Sequence, residues 1–324
     1  VPGRLTCRRG GVTLLEILVA IAILAMLVGL LLPAVQGVRR QGERIVCLNN
    51  LHQLGQALHH YHEIHGSLPP AYLQNGVGED PPGAQAGKMK FDLPIPGSFT
   101  NPVWPGWSWA AHILPQLEQS PIHDQIDFTI PNTFPASTRV REQLMKVLTC
   151  PADRGAGMAW FFDQFQKPII EAATTSYVAC FGALGDMVNS PTSGNGLLYC
   201  NSRVRATDVT DGLSNTVAIG ERAGLFVQSP WVGPMHKTTA RTTMNAPVYQ
   251  ALVSPGAGLG MARFGSRPVN DPWSEPEDFF SPHRDTIHLL FGDGSARAAR
   301  TTTDLAVLQA IGTRSGGEET GPLE

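Results

Sequence analysis

The 324 residues carry 24 Lys and Arg against 27 Asp and Glu, a net charge of −3, which argues against nucleic acid as an obligatory partner. A hydrophobic share of 42% leaves ample material for a folded core and excludes a wholly disordered chain. With 34 Gly and 26 Pro, the folded part should be rich in loops, arranged as one large domain or two small ones.

Three arginines, Arg4, Arg8 and Arg9, precede a long apolar run. From Val12 to Val35 the only side chains that are neither apolar nor small are Thr13 and Glu16. At about 1.5 Å of rise per residue, such a helix crosses the ~30 Å hydrocarbon core of a bilayer. Glu16 is the exception, because a carboxylate entering hydrocarbon costs about 3 kcal/mol and is kept where it has a partner or a task. Arg39, Arg40 and Arg44 follow the run, so flanking charge does not set its orientation. A secretory signal would show a shorter apolar region and a small-x-small cleavage site, which Pro33-Ala34-Val35-Gln36 matches poorly. Pro33 lacks a backbone donor and clashes with the carbonyl of Gly29, itself a weak helix former. The segment Gly29 to Pro33 should therefore kink, melt or end the membrane helix.

The order Gly11, Val12, Thr13, Leu14, Leu15, Glu16 ahead of the apolar helix resembles the type IV prepilin and pseudopilin N-terminus. Phenylalanine is the usual residue where this chain has Val12. The resemblance implies that a prepilin peptidase cuts after Gly11 and that Val12 becomes the methylated N-terminus. It also implies that Glu16 pairs with the amine of a neighbouring pilin-like subunit. A buried carboxylate is tolerable when a cation shares its site. Pro33 is residue 22 of the cut chain, where similar helices also carry proline.

Past Pro33 the helical pattern resumes: Cys47, Leu51, Leu54, Leu58 and Tyr61 line one face, and Gly66 with Pro69 and Pro70 supplies the stop. This stem, with Trp107-Ser108-Trp109, Cys150-Pro151-Ala152-Asp153, Thr210 to Thr216 and Gly220-Glu221, resembles a large bacterial prepilin-type family of unknown function. That family ends in a motif of His, nine residues, Asp-Gly, found here as His283 and Asp293-Gly294, followed by a Gly-Gly-Glu tail at Gly316 to Glu318.

His62-Glu63-Ile64-His65 is one residue short of the zinc-protease spacing and reads more simply as solvated or capping histidines. The aromatic block Trp104, Trp107 and Trp109 reads as core. Val147-Leu148 reads as a short strand and 176–181 as another, while Pro81-Pro82-Gly83 and Pro94 to Gly97 mark turns. Beyond Cys7, an even set of cysteines, Cys47, Cys150, Cys180 and Cys200, allows three disulfide connectivities. The expected one joins Cys47 to Cys150, stapling the stem to the head, and Cys180 to Cys200, closing a loop. No pair has CxxC spacing, which argues against zinc.

Asp208, Thr210, Asp211, Ser214 and Asn215 form an oxygen-rich turn able to take calcium, an ion some similar pseudopilins hold in their heads; the plainer reading is an Asp-Gly turn before a strand at 216–219. No other cofactor is expected. Residues 286–291 and 296–299 flank Gly292-Asp293-Gly294-Ser295, a hairpin signal in which Asp-Gly supplies positive φ angles, and His283 is placed to hydrogen-bond across it.

The expected fold is α+β and pilin-like, a long N-terminal transmembrane and stem helix packed on a loop-rich, mainly antiparallel β head. The expected division is a leader at 1–11, a transmembrane helix at 12–35, a soluble stem at 36–66, a head at 67–300, and a C-terminal helix and tail at 301–324. No nucleophile elbow, P-loop or dinucleotide fingerprint occurs, so no enzymatic role is expected. The resemblance implies a single-pass inner-membrane protein with an extracytoplasmic head, acting as a subunit of a pilus-like assembly; the alternative is a tethered module binding a carbohydrate, peptide or metal.

Overall fold

The computed structural model describes residues 14–74, 106–163, 165–235, 238–244, 249–255, 259–318 and 323. Gly11 and Val12, the expected processing site, lie outside them, as do Trp104 and the turns expected at 81–83 and 94–97.

The first element, α1 (Leu14–His65), is one helix of 52 residues. It runs unbroken through Gly29 and Pro33, so the segment expected to kink, melt or end the helix stays helical. A proline forfeits a single i→i−4 bond, which the turns on either side outweigh. At the far end Gly66 takes φ +70° and its amide bonds the His62 carbonyl at 2.8 Å, the left-handed cap its position predicts.

The chain divides into two compact units, residues 1–44 and 45–324. In the first, the helical residues from Leu14 to Leu32 are exposed, with Leu14 at 80% and Leu30 at 66%. It holds a stretch long and apolar enough to cross a membrane. The boundary falls at Arg44, within the soluble stem expected at 36–66. Cys47, Leu51, Leu54, Leu58 and Tyr61 belong to the core of the second unit, which makes this part of α1 inseparable from it.

That unit is built on two five-stranded sheets. The first contains β1 (Met158–Phe162), β2 (Pro168–Thr175), β5 (Ser229–Pro230), β6 (Thr239–Met244) and β7 (Tyr249–Pro255), in the order β5-β2-β1-β6-β7. The second contains β3 (Tyr177–Ala183), β4 (Val217–Glu221), β8 (Met261–Phe264), β9 (Thr286–Phe291) and β10 (Ala296–Arg300), in the order β10-β9-β4-β3-β8. Among the described strands every pairing is antiparallel except β3 with β8. Short helices α2 (Trp109–His112), α3 (Ser120–His123) and α4 (Thr138–Arg141) fill the connection into β1.

Strand alternation sorts β3 between two cores. Tyr177, Ala179 and Phe181 pack with the stripe of α1 and with the buried Trp107. Val178 and Cys180 face the other way, toward Leu289, Leu308 and Ile311, the last two on α5 (Leu305–Gly312). Asp304 caps α5, its carboxylate accepting from the Ala306 amide at 2.8 Å. Val147-Leu148, expected as a strand, lies instead in a 3-10 turn over Lys146–Leu148, whose tight backbone follows Met145 into the Cys150 loop.

Candidate functional site

Glu221 is the last residue of β4, a strand whose other residues are Val217, Ala218, Ile219 and Gly220. It is fully buried, and a lone carboxylate there would be unstable without partners. The antiparallel register of β4 on β9 pairs Gly220 with Leu289, so the next step along both strands sets Glu221 beside His288. Glu221 Oε1 lies 3.0 Å from His288 Nδ1 and 3.4 Å from His283 Nε2. Its Oε2 accepts from Ser281 Oγ at 2.8 Å and from the His288 amide at 2.9 Å. Burial alone would raise the Glu221 carboxyl, but hydrogen bonds and charge from His283 and His288 bring it down to about 2.

His283 is held from its backbone: its amide donates to Ser281 Oγ at 3.0 Å and its carbonyl accepts from Asn270 Nδ2 at 2.9 Å. Its ring meets His288 edge-on, with 4.6 Å between centroids, and its Nε2 lies 3.4 Å from Cys150 Sγ. Cys150 is joined to Cys47 of α1 across 103 residues of sequence. Ser176 Oγ accepts from the Cys150 amide at 3.1 Å and donates to Asp153 at 2.7 Å. One carboxylate, two imidazoles and one disulfide therefore meet in a space closed to solvent, none of the five residues being more than 5% exposed.

Several expected sites fall elsewhere. Cys180 and Cys200 are both buried and not joined to one another. Cys180 packs in the core under α5 and Cys200 in the core shared with α1, on opposite faces of the second sheet. Burial pushes each thiol up to about 12. The side chains of the oxygen-rich turn hold backbone amides. Asp208 accepts from the Arg205 amide at 2.8 Å, and Asp211 takes the amides of Gly316 at 2.7 Å and Gly317 at 3.0 Å. Asn215 donates its side-chain amide to the Asp211 carbonyl at 2.9 Å, and Ser214 lies in the same turn. Asp211 thereby anchors the C-terminal tail.

His62 accepts from the Ala206 amide at 3.3 Å while His65 stacks on Tyr61 at 4.1 Å, so this histidine pair points to two different neighbours. His283 does not bridge the hairpin; it turns to Glu221 on β4. Asp293 and Gly294 do form the hairpin tip, although among the described residues of that tip only Gly294 takes positive φ, at +82°. The Gly294 amide closes on the Phe291 carbonyl at 3.0 Å, giving a three-residue loop with its left-handed residue last. The Asp293 carboxylate accepts from the Ser295 amide at 2.9 Å. Amides of Gly292 and Asp293 bond the carbonyls of Thr216 and Leu213, and the tip lies against Gly55 of α1.

The comparisons with known proteins bear on these motifs. Residues 36–306 match the family model described as a protein of unknown function (DUF1559). The chain belongs to that family. Residues 6–32 of this DUF1559 protein match the prokaryotic N-terminal methylation motif, which makes it a prepilin-like, membrane-anchored, pilin-type protein. Comparison with curated proteins and with solved structures finds no match. The DUF1559 match spans α1 from Gln36 as well as both sheets, so the stem and the head are parts of one family domain.

Glu221 and His288 were not singled out as site residues from the sequence, although Gly220-Glu221 stood among the resembling blocks. The available signal was an acid and an imidazole inside strands made largely of apolar residues. The N-terminal candidates Glu16, Gly29 and Pro33 all lie on α1, with Glu16 in its first turn, where the helix dipole favours a negative charge.

Proposed function

We propose that this protein is a structural and interaction subunit of a pseudopilus, a type IV pilus-like filament or a related secretion or envelope assembly. A prepilin peptidase cuts after Gly11, Val12 becomes the methylated N-terminus, and the head stands on the outer side of the inner membrane. The observation that carries this reading is the coincidence of the methylation motif over residues 6–32 with a helix whose apolar residues from Leu14 to Leu32 are exposed. Such a surface needs lipid or neighbouring helices around it. Glu16 needs a cation in the same setting, and the amine of a neighbour's processed Val12 supplies one. In this reading the head contributes packing and recognition, and Glu221, His283 and His288 are buried within it.

Mass spectrometry of the protein isolated from membranes tests the processing step. The expected N-terminus is methylated Val12; an intact leader, or a cut near Val35, would refute it. In the same cells Glu16→Ala should abolish co-purification with pilin-like subunits while the head keeps its thermal midpoint. Unchanged assembly would exclude the pairing role of Glu16.

A further inference from the structure

We infer that Cys47, Glu221, His283 and His288 form a zinc site that becomes available when the Cys47–Cys150 disulfide is reduced. One donor atom from each of the four lies within 4.8 Å of all the others, and all four residues are buried. The two measured nitrogen-to-carboxylate separations are 3.0 Å and 3.4 Å. In a tetrahedral zinc site with bonds of about 2.0–2.3 Å, donor atoms lie about 3.3–3.7 Å apart. The four donors are thus already gathered within small shifts of that spacing before an ion enters. The ligands also have the supporting contacts that metal sites need: Ser281 and the His288 amide orient the Glu221 carboxylate, and Asn270 and Ser281 orient His283. One thiolate, two imidazoles and one carboxylate suit zinc, and four protein ligands with no open position describe a structural ion.

The disulfide withholds the fourth ligand, because Cys47 sulfur bonded to Cys150 carries no negative charge to donate. A dithiol reductant supplies two electrons and two protons: the S–S bond breaks, two cysteine thiols form, and the reductant closes to its own disulfide. Zinc then binds Cys47 as the thiolate, whose proton passes to solvent. A small-molecule disulfide reverses the sequence and releases the ion. Either link fastens Cys47 of α1 to the head, zinc in reducing surroundings and the disulfide in oxidising ones.

Cobalt(II) is the probe, titrated into the full-length protein in detergent. After reduction it should bind at one equivalent, with tetrahedral visible bands and a sulfur-to-cobalt charge-transfer band; the oxidised protein should lack that band and bind roughly 100-fold more weakly. Cys150→Ser, which leaves Cys47 unpaired, should bind without reductant, and Cys47→Ser should lose the charge-transfer band. A folded, reduced protein that takes up no cobalt, or a spectrum that Cys47→Ser leaves unchanged, overturns the inference. If the reduced protein and Cys150→Ser both unfold, added zinc must restore the near-UV circular dichroism of the buried tryptophans. Failure to do so overturns it equally, because the ion is expected to replace the cross-link.

Discussion

Replacing Gly55 by alanine should destabilise the head even though alanine is the better helix former. A Cβ at this position would sit 2.9 Å from the Gly294 carbonyl oxygen, 2.9 Å from Leu290 Cδ1 and 3.0 Å from Gly294 Cα. Leu290 can turn aside. The Gly294 backbone is tied down on both sides, by its own amide bond to Phe291 and by the bonds of Gly292 to Thr216 at 2.8 Å and of Asp293 to Leu213 at 3.1 Å. Overpacking of this kind costs about 1–3 kcal/mol, and the helix propensity of alanine offsets about 1 kcal/mol of it. The expected net loss is about 1 kcal/mol, which at roughly 2–4 °C per kcal/mol lowers the thermal midpoint by a few degrees. Gly55→Leu should lose more, because its larger side chain cannot be accommodated by a small shift of the tip. The assay is thermal unfolding of the full-length protein in detergent, followed by near-UV circular dichroism. Gly42→Ala is the control, since a Cβ at Gly42 has nothing within 4 Å. A higher midpoint for Gly55→Ala would show that the hairpin tip does not seat on α1.

Two further changes probe the core. Arg222 is fully buried, and its guanidinium donates to Ser229 Oγ and to the carbonyls of Leu259 and Met261, both at 2.6 Å. Arg222→Leu removes the guanidinium donors from those carbonyls and should cost on the order of 3–5 kcal/mol in urea unfolding; a loss under about 1 kcal/mol would refute this bracing role. His112 stacks on Phe128 at 5.0 Å, and burial, then the charges of His123 and His65, take its imidazole down to about 3. The unfolded chain accepts this proton as pH falls through about 6.5 and the folded chain does not, so stability declines below that pH. His112→Phe should remove on the order of 2–3 kcal/mol of the loss between pH 7 and pH 4.5. Identical losses in both proteins would refute the assignment.

Much of the architecture was legible because it rests on local periodicity. The stripe from Cys47 to Tyr61 is the face that α1 buries, Gly66 is its left-handed cap, and the pattern around Asp293-Gly294 is the hairpin. Such features depend on a few neighbouring residues and on burial of one face. Errors arose where distant segments compete. Cys180 and Cys200 are close enough in sequence to suggest a loop closure, yet strand alternation sends Cys180 to the opposite face of the sheet. Asp211 receives the amides of Gly316 and Gly317 from the tail, a contact that no local spacing announces.

By itself the sequence determined the apolar N-terminal helix with its single acid, the stem that continues it and the C-terminal hairpin, because each is written in the local spacing of apolar and turn residues. Only the tertiary structure decided what the polar residues meet. The absence of CxxC spacing argued against zinc, but spacing speaks only for ligands from one stretch of chain. Cys47, Glu221, His283 and His288 come from a helix, two strands and a loop, and the register of β4 on β9 and the packing of α1 bring them within 4.8 Å.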